Sequence, residues 1–519
     1  MKIQPKKLKK HLAILLIIST LSSKTFAQLS MVKDIQPGAS SSFIAEHTQK
    51  LVVMNNKVYF SAFAGGTQGL YQSDGSTSGT FRISDLAENH FISELSTTGS
   101  FLGWSGENIS ASGNSPWSSD GVSTINYLGH NVFCQSLFPW QNEIYYAGHT
   151  FDEGFELWKT NGTSAGTVTV KSLPGVGVAG SLTPSNFVAH SDGLLYFLSW
   201  AQNFTCSLWR TNGTTAGTIK IKDVPYAQNL ISVGDNLYFT ALNYPESEKL
   251  WISNGTMAGT VILKDINPTT GFPEISSLTA FNNKLYFKAN DGTHGFELWE
   301  SDGTTVGTII KADINLSGSS NATPIGELGT TLFLRANDGI NGSALWKLDG
   351  LTGTVSMVKD INAASDIDGY IEKGVAFSGK FYFPADNVTN GIELWRTDGT
   401  LVGTELVGDI NPTDGSYPRY LTVLGKRLLF VAFDYQEDFN YNFELWKYED
   451  PTNLPCTNDL VLNGTATDFL YEANHTITST QIIPQRATYT TYKAQSIILN
   501  AGFLADKGTK FKTISEGCQ

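Results

Sequence analysis

Cysteine is scarce, with four in 519 residues, Cys134, Cys206, Cys456 and Cys518. None stands in C-x-x-C spacing, which argues against a thiolate zinc site. Beyond residue 27 the histidines His47, His90, His130, His149, His190, His294 and His475 are scattered and no H-E-x-x-H occurs in the chain, so the paired-histidine helix of a metalloprotease is missing. Basic residues are few, 35 Lys and Arg against 48 Asp and Glu. That balance argues against nucleic acid and anionic lipid as partners, since a phosphate-binding surface needs clustered cations. Helix-length amphipathic stretches are absent, and after the first residues so are apolar runs long enough to span a bilayer.

The one apolar run stands at the start. Lys2, Lys6, Lys7, Lys9 and Lys10 precede Leu12 to Leu21, and Thr25-Phe26-Ala27 follows. This pattern predicts a secretory signal peptide over residues 1–27, cleaved after Ala27. The run is well short of the about 20 residues a membrane anchor needs, and no lipobox cysteine follows. Losing the leader's six lysines, Lys24 included, takes the formal charge from −13 to −19. The expected location is secreted or cell-surface, where disulfides are permitted. Cys456 and Cys518, at the two edges of the last segment, are expected to pair, whereas Cys134 and Cys206 lie in repetitive sequence and could equally be free and buried.

What the sequence has in abundance is repetition. Leu-Trp pairs end at Trp158, Trp209, Trp251, Trp299, Trp346, Trp395 and Trp446, with weaker copies at Leu70-Tyr71 and Pro116-Trp117, and the aromatic positions fall 41 to 51 residues apart. That period suits propeller blades. In one well-kept unit, Ser277 to Phe281, Lys284 to Ala289, Phe296 to Glu300 and Gly307 to Ile314 are apolar or alternating runs separated by Asn/Asp/Gly clusters, the pattern of a four-stranded antiparallel meander. Asn161-Gly162, Asn212-Gly213, Asn254-Gly255, Asp302-Gly303, Asp349-Gly350 and Asp398-Gly399 each predict a hairpin turn.

Repetition also settles an apparent catalytic motif. Gly162-Thr163-Ser164-Ala165-Gly166 fits the G-x-S-x-G nucleophile pattern, yet other units place Thr215, Met257, Thr305 and Leu401 where Ser164 stands. No catalytic residue is assigned. The tryptophans are expected to fill the wedges between blades, not to stack on sugars.

Leu29-Ser30-Met31-Val32-Lys33-Asp34-Ile35 copies the fourth-strand run Met357-Val358-Lys359-Asp360-Ile361, while the ninth unit stops after Trp446-Lys447-Tyr448. The N-terminal strand is therefore expected to complete the last blade and close the ring. The predicted fold is all-β: a propeller of about nine four-stranded repeats over residues 28–450, a linker at 451–455, and a small all-β stack at 456–519. The unit holding Trp104 and Trp117 departs most and is expected to be irregular.

The octets Glu297-Leu298-Trp299-Glu300-Ser301-Asp302-Gly303-Thr304 and Glu393-Leu394-Trp395-Arg396-Thr397-Asp398-Gly399-Thr400 resemble the bacterial ELWxxDGT repeat family, over about residues 28 to 450. That resemblance implies an exported propeller-like protein and attaches no activity to the motif. Ala494 to Phe511, ending at Gly517-Cys518-Gln519, resembles the three-coathanger-stack C-terminal domain of exported proteins from Bacteroidetes-type bacteria, which implies a sorting or attachment module. The Asp-Gly-Thr turns also resemble the Asp-box turns of sialidase propellers. Arg210 and Arg396 fall in the variable slot after Trp, however, which tells against a dedicated arginine cluster.

The reading that results is a non-enzymatic binding or adhesion scaffold of a bacterial surface, with glycans or surface proteins as partners. A polysaccharide-active enzyme is the alternative. No cofactor is expected; calcium is the one candidate, because Asp-rich turns offer oxygen ligands.

Overall fold

Residues that tolerate positive φ follow each strand-forming run, so the chain reverses locally and builds antiparallel meanders. The computed structural model describes residues 28–450 except 38–40, 44–49, 86–91, 109–110, 123–124, 129–132, 151–153, 174–182, 201–205, 243–246, 269–272, 363–369 and 435–441; beyond 450 it describes strand backbone between 457 and 514. The leader at 1–27, the linker at 451–455 and the expected Cys456–Cys518 pair lie outside the described residues.

Nine four-stranded antiparallel sheets follow one another. Blade 1 spans 52–85, blade 2 92–127, blade 3 133–172, blade 4 183–223, blade 5 228–264, blade 6 276–312, blade 7 323–359, blade 8 375–408 and blade 9 419–449. The ninth borrows its fourth strand from the N-terminus: Gln28–Lys33 pairs with Asn442–Glu449, Leu29 opposite Tyr448 and Met31 opposite Trp446. The ring closes as the copied sequence predicts. Blade 2, despite its divergence, holds four strands in regular order, which fixes the number at nine.

First strands of successive blades adjoin and line the channel. The strand buried on both faces is the second of each blade, where the triplets Leu195-Tyr196-Phe197 and Leu285-Tyr286-Phe287 sit. Register places each motif aromatic opposite a second-strand partner, Phe197 across from Trp209, Phe239 from Trp251 and Phe287 from Trp299. These rings stack at centroid distances of 6.1, 5.9 and 6.1 Å.

In every blade but the second, a bulge lies in the fourth strand. Leu250 pairs with Lys264 but Trp251 with Ile262, so Leu263 is the extra residue. The bulge turns two consecutive side chains toward the next blade. Leu263 joins the cluster around Trp299, and Lys264 Nζ lies 5.9 Å from that indole centroid while donating to the Thr308 carbonyl. Lys222 over Trp251 and Lys359 over Trp395 repeat the arrangement. Six of the seven repeat tryptophans are buried, and Trp346 is the exception. Its bulge residue is Lys311, which pairs with Glu300, and its cross-strand partner is Leu334.

The Asp-Gly and Asn-Gly pairs open the hairpin turns between third and fourth strands, as the sequence predicts, and these turns are longer than two residues. In blade 6 the third strand ends at Ser301 and the fourth begins at Ile309. Asp302 Oδ1 accepts from Thr304 N and Oγ1, Thr304 Oγ1 accepts from Gly307 N, and Thr308 Oγ1 bonds both Ser301 Oγ and the Thr304 carbonyl. Such a closed network is worth more than a bare reversal. Blade 7 alone among these pairs moves its positive φ, from Gly350 to Gly353. The true two-residue turns join first and second strands, as at Asn282-Asn283 with φ of 47° and 58°.

Asn161, Asn212 and Asn254 make the bonds that Asp302 makes. Asp302→Asn should therefore leave stability within about 0.5 kcal/mol, and Asp302→Ala should cost about 1 kcal/mol in urea unfolding. Equal losses in both variants would refute this account of the turn.

After residue 450 the pairing changes character. Leu470–Ser479 pairs in parallel with Tyr489–Lys493 and Ser496–Leu499, Ile482–Ile483 with Leu504–Ala505, and Tyr489–Lys493 with Lys510–Ile514. Partners such as Leu470 and Thr491, Thr476 and Ser496, or Ile482 and Leu504 lie 20 to 22 residues apart, so the segment coils upon itself and is not a tenth blade.

Candidate functional site

The meander puts two kinds of connection on each face of the ring. First-to-second turns and third-to-fourth turns share one face, which carries the uniform hydrogen-bonded networks. The other face collects the second-to-third turns and the blade-to-blade connections. The connections range from four residues at 224–227 to eighteen at 34–51. Variation therefore concentrates on one face, where a rigid scaffold displays binding groups.

The first residue of the repeated motif holds those connections down. Glu297 Oε2 accepts from Ile314 N and Oε1 from Ser320 N, each at 2.8 Å. Glu393 Oε1 accepts from Asn411 N and Ser416 N, and Oε2 from Ser416 Oγ at 2.6 Å. Glu444 accepts from Ile35 N at 2.9 Å and from Ser42 Oγ, tying the N-terminal segment to blade 9. All three are buried. Burial pushes Glu393 up to about 8 and Glu444 up to about 7, and it raises Glu297.

A carboxyl whose folded pKa lies above its unfolded value near 4.5 binds its proton more tightly when folded. Its stabilising share is complete below about pH 4.5 and is lost as pH rises toward 7 to 8. At fixed ionic strength the unfolding midpoint should fall between pH 5 and pH 8, with a shallower slope in Glu393→Gln. A slope unchanged by that substitution would count against the assignment.

On the variable face a cavity of about 330 Å³ opens above blade 5, lined by Trp200, Tyr226, Gln228, Leu242, Glu248 and Glu274. Trp200 ends the second strand of blade 4, and Tyr226 lies in the four-residue connection into blade 5. Their rings meet edge to face at 6.3 Å. Tyr226 and Glu274 each follow a proline and adopt φ of 52° and 43°. Asn321 and Tyr417 share that conformation at equivalent positions, so the backbone shape belongs to the fold and the side chains distinguish this site. Glu248 is buried, with Oε2 accepting from Ile275 N at 2.8 Å and Oε1 from Gln228 Nε2 at 3.4 Å. Glu274 and Gln228 are exposed. An aromatic corner beside acceptor oxygens and an amide suits a flat, hydroxyl-bearing ligand.

Ser164 lies on the opposite face, exposed in a blade 3 turn, its hydroxyl 3.4 Å from the Tyr127 carbonyl. Trp209, Trp251, Trp299, Trp395 and Trp446 fill wedges between blades and Trp158 packs on Cys134 and Tyr146. Cys134 and Cys206 are free and buried. Among the described residues no group of three or more His, Cys, Asp or Glu stands together as metal ligands, and no helix is long and apolar enough to cross a membrane. The motif glutamates and the bulge lysines were quoted in the sequence without a role. Their recurrence was the available signal. The cavity left none, because Trp200, Tyr226 and Glu274 belong to no repeated motif.

No protein-family model and no curated protein sequence matches the chain. Among solved structures it is similar to puromycin hydrolase, with 14% identity and a TM-score of 0.37 over 73% of this chain and 62% of that one. It is also similar to oligopeptidase B from Trypanosoma brucei, with 11% identity and a TM-score of 0.39 over 82% and 56%. A third is the β-propeller domain of the Trilobed protease from Pyrococcus furiosus, with 12% identity and a TM-score of 0.34 over 61% and 95%. The chain spans less than two thirds of the length of the first two. At these scores the likeness carries no argument about activity.

Proposed function

We propose that the chain is an exported, non-enzymatic scaffold that binds a saccharide of its surroundings at the cavity above blade 5, with the C-terminal coil serving surface sorting or attachment. The observation that carries this reading is the Trp200–Tyr226 corner set beside Gln228, Glu248 and Glu274 on the variable face. A sugar ring offers C–H bonds to aromatic faces and hydroxyls to acceptors, and both are supplied here. The lysine-rich leader supports export, and the resemblance of residues 456–519 to a sorting module supports attachment.

Two carboxylates in one cavity favour a second reading, glycoside cleavage, since paired acids are what that chemistry uses. Glu248 is already committed to Ile275 N and Gln228, which places it in the wall holding the site. A glycan-array screen of the chain from Gln28 onward, with product analysis on every hit, tests both readings. Binding without product supports the scaffold; released product replaces it with the enzyme; no hit on any saccharide overturns both. Deleting Asn453 to Gln519 and fractionating cells tests the sorting role, which unchanged surface delivery would sink.

A further inference from the structure

One level of the ring is unusually basic for so acidic a chain. Ser276 pairs with Lys288 in blade 6, Thr323 with Arg335 in blade 7, and Arg419 with Val431 in blade 9. In blade 8 Glu372 N donates to the Pro384 carbonyl at the same level. Blades 4 and 5 hold Ser185 opposite Leu198 and Gln228 opposite Thr240 there. The cations are thus a local addition to the repeat, on the variable face and beside the cavity, whose wall residue Glu274 stands two positions before Ser276.

None of the three cations makes an ion pair among the described residues. Lys288 Nζ lies 5.2 Å over the Phe296 ring, the Arg419 guanidinium 4.8 Å over Phe443, and Arg335 Nη1 donates to the Ile371 carbonyl at 3.3 Å. Ring faces and a carbonyl orient these side chains, and the carboxylate that shares their level, Glu372, is hydrogen-bonded to Tyr370. Burial and the neighbouring Arg335 charge lower the Lys288 pKa, against a smaller opposing pull from Glu274. Burial and a hydrogen bond to Glu372 push the Tyr370 phenol far up, with Arg419 and Arg335 opposing, so Tyr370 stays neutral and donates to Glu372 beside both arginines. An anion would relieve the repulsion that Arg335 exerts on Lys288.

We propose that Lys288, Arg335 and Arg419 form a seat for anionic groups, carboxylate or sulfate, borne by the saccharide whose ring rests in the cavity, so that the ligand is an acidic polysaccharide. The inference rests on the saccharide-binding reading and specifies its ligand class. The cations come from blades 6, 7 and 9, and a chain charged along its length meets them in turn. Glu274 sits where cavity and basic level join, so one ligand reaches both.

The test titrates the chain from Gln28 onward with oligogalacturonate, a sulfated carrageenan oligosaccharide and a neutral laminari-oligosaccharide by calorimetry. The same titrations follow for Lys288→Gln/Arg335→Gln, Arg335→Lys and Trp200→Ala, each first shown to keep the parent melting profile. The expected result is that at least one acidic oligosaccharide binds more tightly than the neutral one. The double variant then weakens that binding about tenfold or more, Arg335→Lys weakens it less, and added salt weakens it further. The stronger of the two acidic ligands identifies the anionic group. Equal affinity for acidic and neutral ligands, or acidic binding untouched by the double variant, overturns the anion seat. Loss of neutral binding in Trp200→Ala would in that case leave the cavity reading standing. Binding of none of the three overturns both.

Discussion

Replacing Glu393 by alanine should cost about 3–5 kcal/mol of folding free energy, among the largest single-residue losses outside the aromatic wedges. The side chain is wholly buried and satisfies Asn411 N, Ser416 N and Ser416 Oγ. Alanine leaves Asn411 N and the Ser416 hydroxyl without this partner, while Ser416 N keeps the Ile392 carbonyl, and it opens a void beside them. Glutamine keeps one oxygen for the two N–H groups and can turn its amide toward Ser416 Oγ, so Glu393→Gln should lose under about 1 kcal/mol near neutrality. Urea unfolding of the two variants decides the matter. A similar small loss in both would show that the connection at 409–418 holds itself.

Removing Gln28–Lys33 should have a larger effect, at least about 5 kcal/mol and enough to end folding as a monomer. The strand buries Leu29 at 4% and Val32 at 2% exposure, about 1.5–3 kcal/mol for each side chain. It pairs along Asn442–Glu449, and Lys33 Nζ reaches the Thr80 carbonyl of blade 1. Without it the third strand of blade 9 becomes an open edge able to pair with another copy. The expected product is oligomer or aggregate by size-exclusion chromatography. Adding the same six residues through a short linker after Asp450 should restore the monomer, because the ring needs the strand and not its position in the chain. A truncated chain that melts like its parent would refute closure by this strand.

The architecture was legible where repetition spelled it out. Seven Leu-Trp pairs and the two weaker copies at Leu70-Tyr71 and Pro116-Trp117 counted the blades, and the copy of Met357 to Ile361 at Met31 to Ile35 revealed the closing strand. Composition could not show the fourth-strand bulge, because a one-residue register shift between Leu298 and Trp299 leaves the spacing of apolar residues almost unchanged. The Asp-Gly pairs marked the hairpin turns but not their length, which the Thr304 and Thr308 hydroxyls downstream set by bonding back. The cavity and basic level gather residues from separate blades, Trp200 with Glu274 and Lys288 with Arg335, and only the ring brings them together.

On the proposed function, one face binds and the other does not. This is tested most directly by comparing Trp200→Ala on the variable face with Val306→Ser/Val402→Ser on the uniform face, whose valines are 87% and 89% exposed. The readout is the affinity of each for the strongest saccharide hit. The account predicts a loss of about tenfold or more for Trp200→Ala and parent affinity for the valine pair. Parent affinity in Trp200→Ala with loss in the valine pair would contradict it and move the site to the turn networks.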